Sequence, residues 1–182
     1  MVISGKEAVI FCAFIKFANL AEAELAELIE DALAEKDEPV AAEEDKNKYA
    51  RQYLAYRFSN YTNAYLQLFL RRHLHILLVV RGRRKKLYTC ECCGFKTLTL
   101  PGEWDICKVC FWENDGSARD ESIISSPNHM TLGEAKKNFL KFGASHEGSL
   151  RLLDTERFLQ FARDIENPNI PQRHRYTHLN NR

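Results

Sequence analysis

The chain has 182 residues, 45% hydrophobic and 28% charged, a balance that excludes a disordered polymer and suffices for one ordinary domain or two small ones. Its net charge of +1 conceals a gradient: 5 basic against 12 acidic residues over positions 1–50, 10 against 1 over 51–100, and 11 against 12 over the rest. No segment reaches the roughly 18 apolar residues of a spanning helix, and the stretch from Val9 to Ala21 is broken by Lys16 and lacks the basic lead of a secretory signal, so a soluble cytoplasmic protein away from membranes is expected.

The first predicted element is a helix over residues 6–36, with Leu20, Leu25, Leu28, Ile29 and Leu33 at helical spacing and acidic residues on the other face. Asp37 to Lys48 is polar, contains Pro39 and reads as a connection. A second helix is expected from Asn47 to about Val80, opened by Tyr49, Tyr53 and Tyr56 and continued by Tyr61, Tyr65, Leu68 and Phe69. The pair would form an antiparallel hairpin. The β-branched residues in Leu74 to Val80 also permit a strand there.

Gly82 and the run Arg81, Arg83, Arg84, Lys85 and Lys86 break the pattern and divide a helical region, 1–86, from the remainder, 87–182. With aromatic residues nearby, these cations suit single-stranded nucleic acid or an acidic protein surface; the plainer reading is a solvated segment balancing the acidic front.

Next come Cys90 and Cys93, then Cys107 and Cys110, two Cys-x2-Cys pairs. Each such turn points two sulfurs at one metal, and two of them specify a tetrahedral four-thiolate zinc site. Gly94 suits the sharp turn after the first pair. Cys92 leaves only one residue between itself and Cys90, so it is assigned as a non-ligand that packs or faces away, with a redox role as the alternative. Phe95 to Leu100 alternates like a strand, Pro101-Gly102 turns, and Glu103 to Ile106 returns, so the ligand pairs are joined by a β-hairpin, a zinc ribbon. Four thiolates leave no open coordination position, which points to a structural rather than a catalytic ion. Cys12, in an apolar helix, reads as core.

After a loop through Pro127, Thr131-x-x-Glu134 is a capping box that starts a third helix, with Gly143 placed to end it. A fourth helix is expected from Asp154, burying Leu153, Phe158, Leu159, Phe161, Ala162 and Ile165 and stopped by Pro168 and Pro171. The tail from Gln172 is basic and polar. The fold class is therefore α+β: an N-terminal helical hairpin, a central four-cysteine zinc ribbon and C-terminal helices.

From about Tyr88 to Gly143 the sequence resembles the bacterial cysteine-rich CPCC family. The resemblance rests on the cysteine cluster with Gly94, Pro101-Gly102, Asp105-Ile-Cys-x-x-Cys-Phe-Trp-Glu113, Asp115-Gly116, Pro127-Asn128 and the helix end Asn138 to Gly143. Glu91 stands where the family's naming motif has proline. The resemblance implies a zinc-binding module and, through similar small accessory proteins, a candidate immunity protein.

Other constellations are weaker. His73 and His75, two apart on a helix, point to different faces, and His174 and His178 lie in the tail without a nearby carboxylate. No phosphate loop is present. Trp112 is expected to pack on the ribbon or the third helix, while Glu113 and Asp115, with Asp120 and Glu121, offer a negative patch to a basic partner. A non-enzymatic binding protein is expected, one that occludes a bacterial toxin as an immunity protein or antitoxin. The alternative is a nucleic-acid-binding zinc ribbon that uses the Arg81–Lys86 run.

Overall fold

The computed structural model describes residues 1–34, 43–117 and 120–164, with the side chains of 43–45 outside the description. It is α+β and divides into two compact units, Met1–Lys85 and the chain from Lys86 onward. No helix among the described residues is long and apolar enough to cross a membrane.

In the first unit, β1 (Val2–Ser4) leads directly into α1 (Gly5–Ala18), followed by α2 (Glu22–Ala34), α3 (Glu43–Ser59), α4 (Asn63–Leu74) and β2 (Val79–Arg81). Ser4 and Glu7 form a capping box that starts α1. The single helix expected over 6–36 is two helices. Asn19 ends the first by donating its side-chain amide to the Ile15 carbonyl at 2.7 Å, and Glu24 reaches back to the Ala21 N–H at 2.9 Å to start the second.

The long second helix is likewise two. The Ser59 hydroxyl donates to the Tyr56 carbonyl at 2.6 Å, and the Thr62 hydroxyl accepts from the Tyr65 N–H at 3.1 Å to start α4. Part of the expected connection, from Glu43 to Lys48, is helical, while residues 37–42 lie outside the described residues. The hairpin is thus four shorter helices, with α1 packed on α3 and α4, and α2 on α3. His75, left-handed at φ 55°, closes α4, and the strand reading holds for Val79–Arg81, which pairs in parallel with β1.

Ala8, Cys12, Leu66 and Leu70 are fully buried at the centre of this unit. Cys12 is core, and burial pushes its thiol up to about 12. Edge-to-face contacts link Phe58 to Tyr61 and Phe69, and Tyr61 to Tyr65.

The second unit contains β3 (Tyr88–Thr89), β4 (Lys96–Leu98), β5 (Ile124–Ser125), β6 (Met130–Thr131), α5 (Leu132–Phe142), a 3-10 turn over Glu147–Leu152 and α6 (Arg157–Gln160). α5 begins at the Thr131–Glu134 capping box and ends at left-handed Gly143, as the sequence indicates.

Two expectations need correction. The strand after the first cysteine pair does not pair forward with Glu103 to Ile106; β4 pairs backward with β3, placing Tyr88 opposite Leu98. The long fourth helix is one turn. The Asp154 carboxylate accepts from the Glu156 N–H at 2.7 Å and the Gln160 amide at 2.9 Å, curling the chain, and the segment after Gln160 extends. There the Lys96 N–H donates to the Ala162 carbonyl and the Asp164 N–H to the Gly94 carbonyl, each at 2.8 Å. Leu159 and Ala162 are therefore exposed rather than buried, whereas Phe161 is buried and Phe158 packs against Phe95. Ile165, Pro168, Pro171 and the tail lie outside the described residues.

Candidate metal centre

Each cysteine pair sits on the same backbone loop. In the first, the Cys90 N–H donates to the Phe95 carbonyl and the Gly94 N–H to the Cys90 carbonyl, both at 2.9 Å. In the second, the Cys107 N–H donates to the Trp112 carbonyl and the Phe111 N–H to the Cys107 carbonyl, again both at 2.9 Å. The residue after each second cysteine is left-handed, Gly94 at φ 77° and Phe111 at φ 68°. Glycine takes that conformation freely; phenylalanine pays about 1–2 kcal/mol for it.

The loops bring together the sulfurs of Cys90, Cys93, Cys107 and Cys110, all within 4.8 Å of one another and all fully buried. Cys90 and Cys110 sulfurs are 3.7 Å apart, and those of Cys93 and Cys107 are 3.6 Å apart. A tetrahedron with metal–sulfur arms of about 2.3 Å has edges of about 3.8 Å. A disulfide would need sulfurs at about 2.05 Å. The spacing therefore fits a metal ion and not a disulfide. Cys92 is buried outside the set, and Cys93 completes the first pair.

Around Cys107 the surroundings favour the thiolate. The Thr97 hydroxyl lies 3.1 Å and the Val109 N–H 3.4 Å from its sulfur. Burial works against ionisation there, but hydrogen bonds from the other three cysteines and Thr97 outweigh it and hold Cys107 well below the usual thiol range. Burial raises Cys90, Cys93 and Cys110. A metal ion held by these four residues would take them as thiolates and displace their protons as it bound.

Sequence reasoning missed three supports. Arg157 is buried, donating from Nε to the Val109 carbonyl at 3.0 Å inside the second loop. Asn128 clamps Glu113 from both sides, accepting its N–H at 2.9 Å and donating to its carbonyl at 2.8 Å. Thr97 faces the cluster because alternation along β4 turns it inward. Thr97 left a sequence signal in the alternation of Phe95 to Leu100 and Asn128 in the Pro127-Asn128 motif, while Arg157 left none. Trp112 is fully buried, as expected, and burial lifts the Glu91 carboxyl above its ordinary range.

The partner-binding candidates divide. Arg81, Arg83, Lys85 and Lys86 are exposed, with Lys85 over the Tyr56 ring at 4.6 Å and Lys86 over Tyr88 at 4.9 Å. Arg84 is different. Its guanidinium donates to the carbonyls of Tyr61 (2.9 Å), Phe58 (2.9 Å), Ser59 (2.8 Å) and Gly5 (3.2 Å), so it closes the end of α3 and is spent on the fold. Asp115 is spent likewise. It accepts from the Ser117 N–H and hydroxyl and from the Ser125 hydroxyl, and these bonds outweigh burial and hold its carboxyl low. Asp120 takes Ser122, and Glu121 pairs with Lys136. Glu113 is half-buried on the second cysteine loop.

His73 lies against Phe69 and His75 caps α4; neither joins a metal-capable group among the described residues. His174 and His178 lie outside the described residues.

Residues 88–157 match the family described as Cysteine-rich CPCC, which covers the whole cluster and runs to the start of α6. No curated protein and no solved structure matches the chain.

Proposed function

We propose that this chain is a non-enzymatic binding protein built around one structural zinc ion, and that it neutralises a partner protein by covering its working surface, as a bacterial immunity protein or antitoxin does. The closure of the cysteine set carries the non-catalytic part. Four buried sulfurs fill a tetrahedral ion's coordination and leave neither water nor substrate a position on it. Four thiolates suit zinc, with iron as the competitor. The ion would cross-link the two loops and supply no reaction.

Support for binding comes from the loop between the cysteine pairs. Leu100, Trp104 and Ile106 are 54%, 59% and 37% exposed, although all are large and apolar. The loop is nevertheless fixed. The Asp105 carboxylate accepts from the Thr99 N–H at 2.6 Å and the Leu100 N–H at 3.3 Å, and the Trp104 N–H donates to the Asn114 carbonyl at 2.9 Å. A tryptophan ordered before binding loses little entropy on docking and suits the centre of an interface.

Two measurements test this reading. Elemental analysis of the purified chain should return one zinc per molecule; an iron-loaded or metal-free folded protein would overturn the zinc assignment. Co-expression with the toxic product of a neighbouring gene should restore growth, and Trp104→Ala should abolish the rescue while keeping the metal. No protection by the intact chain would remove the inhibitor reading. The exposed Arg81, Arg83, Lys85 and Lys86 favour a second reading, nucleic-acid binding, which predicts retention on immobilised RNA or DNA that falls steeply with salt.

A further inference from the structure

The second cysteine loop forms one wall of an open cleft of about 450 Å³, whose lining includes Phe111, Glu113, His129, Met130, His146 and Ser149. Four polar groups of this lining have no hydrogen-bond partner among the described residues: the Glu113 carboxylate, the His129 imidazole, the Ser149 hydroxyl and Nε2 of His146. Nδ1 of His146 accepts from the Gly148 N–H at 3.0 Å, so the neutral ring carries its proton on Nε2, available to an acceptor.

The walls are braced. Asn128 grips Glu113 from both sides, the Ser145 N–H donates to the Cys110 carbonyl at 2.7 Å, and the Asn138 amide donates to the Ser145 carbonyl at 2.8 Å. Two lining residues, Phe111 and His129, are held at φ 68° and 54°. Phe111 takes that conformation as part of the cysteine loop, and it fixes the wall beside Glu113.

The chemistry of the lining narrows the occupant. Glu113, His129 and His146 do not converge as metal ligands; among the described residues only the four cysteines do. An anion would face the Glu113 carboxylate, and a purely apolar group would strip it of water without compensation. A cation with a planar fork of donors meets both needs. Its guanidinium can pair with Glu113 beside the Phe111 ring, while the His146 and Ser149 donors take carbonyl oxygens of the chain that carries it.

We propose that this cleft is the anchoring site for an arginine side chain of a partner protein. It rests on the protein-binding reading above and adds the surface used and the residue captured.

The test uses the metal-loaded full chain and two blocked tripeptides, acetyl-Gly-Arg-Gly-amide and its citrulline counterpart, which keeps the shape and loses the charge. The arginine peptide should shift the amide resonances of Phe111, Glu113, His129 and His146 and bind at least about tenfold more tightly than the citrulline peptide. Glu113→Gln should erase that preference with metal content unchanged. Equal affinity for the two peptides, shifts confined to other residues, or an unaffected Glu113→Gln variant would overturn the proposal. If the intact chain protects against the toxic partner and Glu113→Gln protects equally, the cleft assignment fails while the inhibitor reading survives. Failure of the intact chain to protect removes the inhibitor reading instead.

Discussion

The two units are held together by different means. Met1–Lys85 has helices of 12 to 17 residues, fully buried side chains such as Leu66 and Leu70, and one arginine satisfying four carbonyls. Among the described residues, the chain from Lys86 has strands of two or three residues and a single helix longer than two turns. Among the described non-glycine residues, it also holds Trp104, Phe111 and His129 in left-handed backbone, against His75 in the first unit. Among the described residues, buried atoms of Glu91, Trp112 and Asn114 lack partners there, against single amide oxygens of Asn60 and Asn63 in the first unit. Each such feature costs about 1–3 kcal/mol. The second unit has a core of its own around Trp112, Phe139 and Leu98, and a metal ion on the four sulfurs would add on the order of 10 kcal/mol to it. On the proposed reading, a metal cross-link between the two cysteine loops would let this segment keep its strained backbone and unpaired polar groups.

Removing the metal should therefore separate the units most sharply. With a chelator, or in Cys107→Ser, amide protection should vanish across 88–164 while the helices of 1–34 and 43–74 keep theirs in hydrogen exchange. Loss of both together would break the comparison. The converse perturbation is Arg84→Ala. It removes the guanidinium donor from the carbonyls of Phe58, Ser59 and Tyr61, of which Phe58 keeps the Tyr61 N–H, and should cost the first unit about 2–4 kcal/mol in urea unfolding, with metal affinity unchanged. Arg84→Ala with an unmoved urea midpoint would mean that water replaces the guanidinium without loss.

The same contrast explains what could be read from the sequence. The metal site was legible because four residues of one kind at fixed spacing carry the whole geometry, and Thr131, Glu134 and Gly143 mark α5 by local chemistry alone. The helical unit was misread in length because its breaks at Asn19 and Ser59 use side-chain hydrogen bonds rather than glycine or proline. The fourth helix was misread because its apolar residues satisfy helical spacing, while the Lys96 and Gly94 backbone groups that draw residues 162–164 into extended pairing lie about 70 positions away. Arg84 looked like one more surface cation in a basic run, and only the folded chain places Gly5 and the end of α3 around it. The cleft beside Glu113 left no pattern, since its walls come from three separate stretches between Phe111 and Ser149.

A smaller perturbation distinguishes the two cysteine loops. Gly94 and Phe111 occupy the same left-handed position, so the first loop is unstrained and the second is not. Gly94→Ala should bring the first loop to the strain of the second, costing about 1 kcal/mol and weakening metal binding about fivefold to tenfold in a competition titration with a chromophoric chelator. An unchanged affinity would show that the loop relaxes around the new methyl group and that φ at this position carries no cost.

Acid provides the mildest test, because among the described residues each unit has a capping box of the same design. Hydrogen bonds from the backbone and hydroxyl of Ser4 hold Glu7 below the usual carboxylate range, and those of Thr131 do the same for Glu134. A carboxyl lowered by folding supports the fold fully above its unfolded value of about 4.3, and that support fades as pH falls through the lower folded value. In the first unit this should be the local event seen, a gradual shift of the Glu7 amide resonance that Ser4→Ala moves to higher pH. The second unit should not survive to show its counterpart. Protons compete with the metal for four thiolates, so its resonances should collapse while Glu134 is still ionised. Observation of an undisturbed Glu134 titration, with the metal lost but the α5 resonances intact, would mean that packing rather than sulfur coordination holds the second unit.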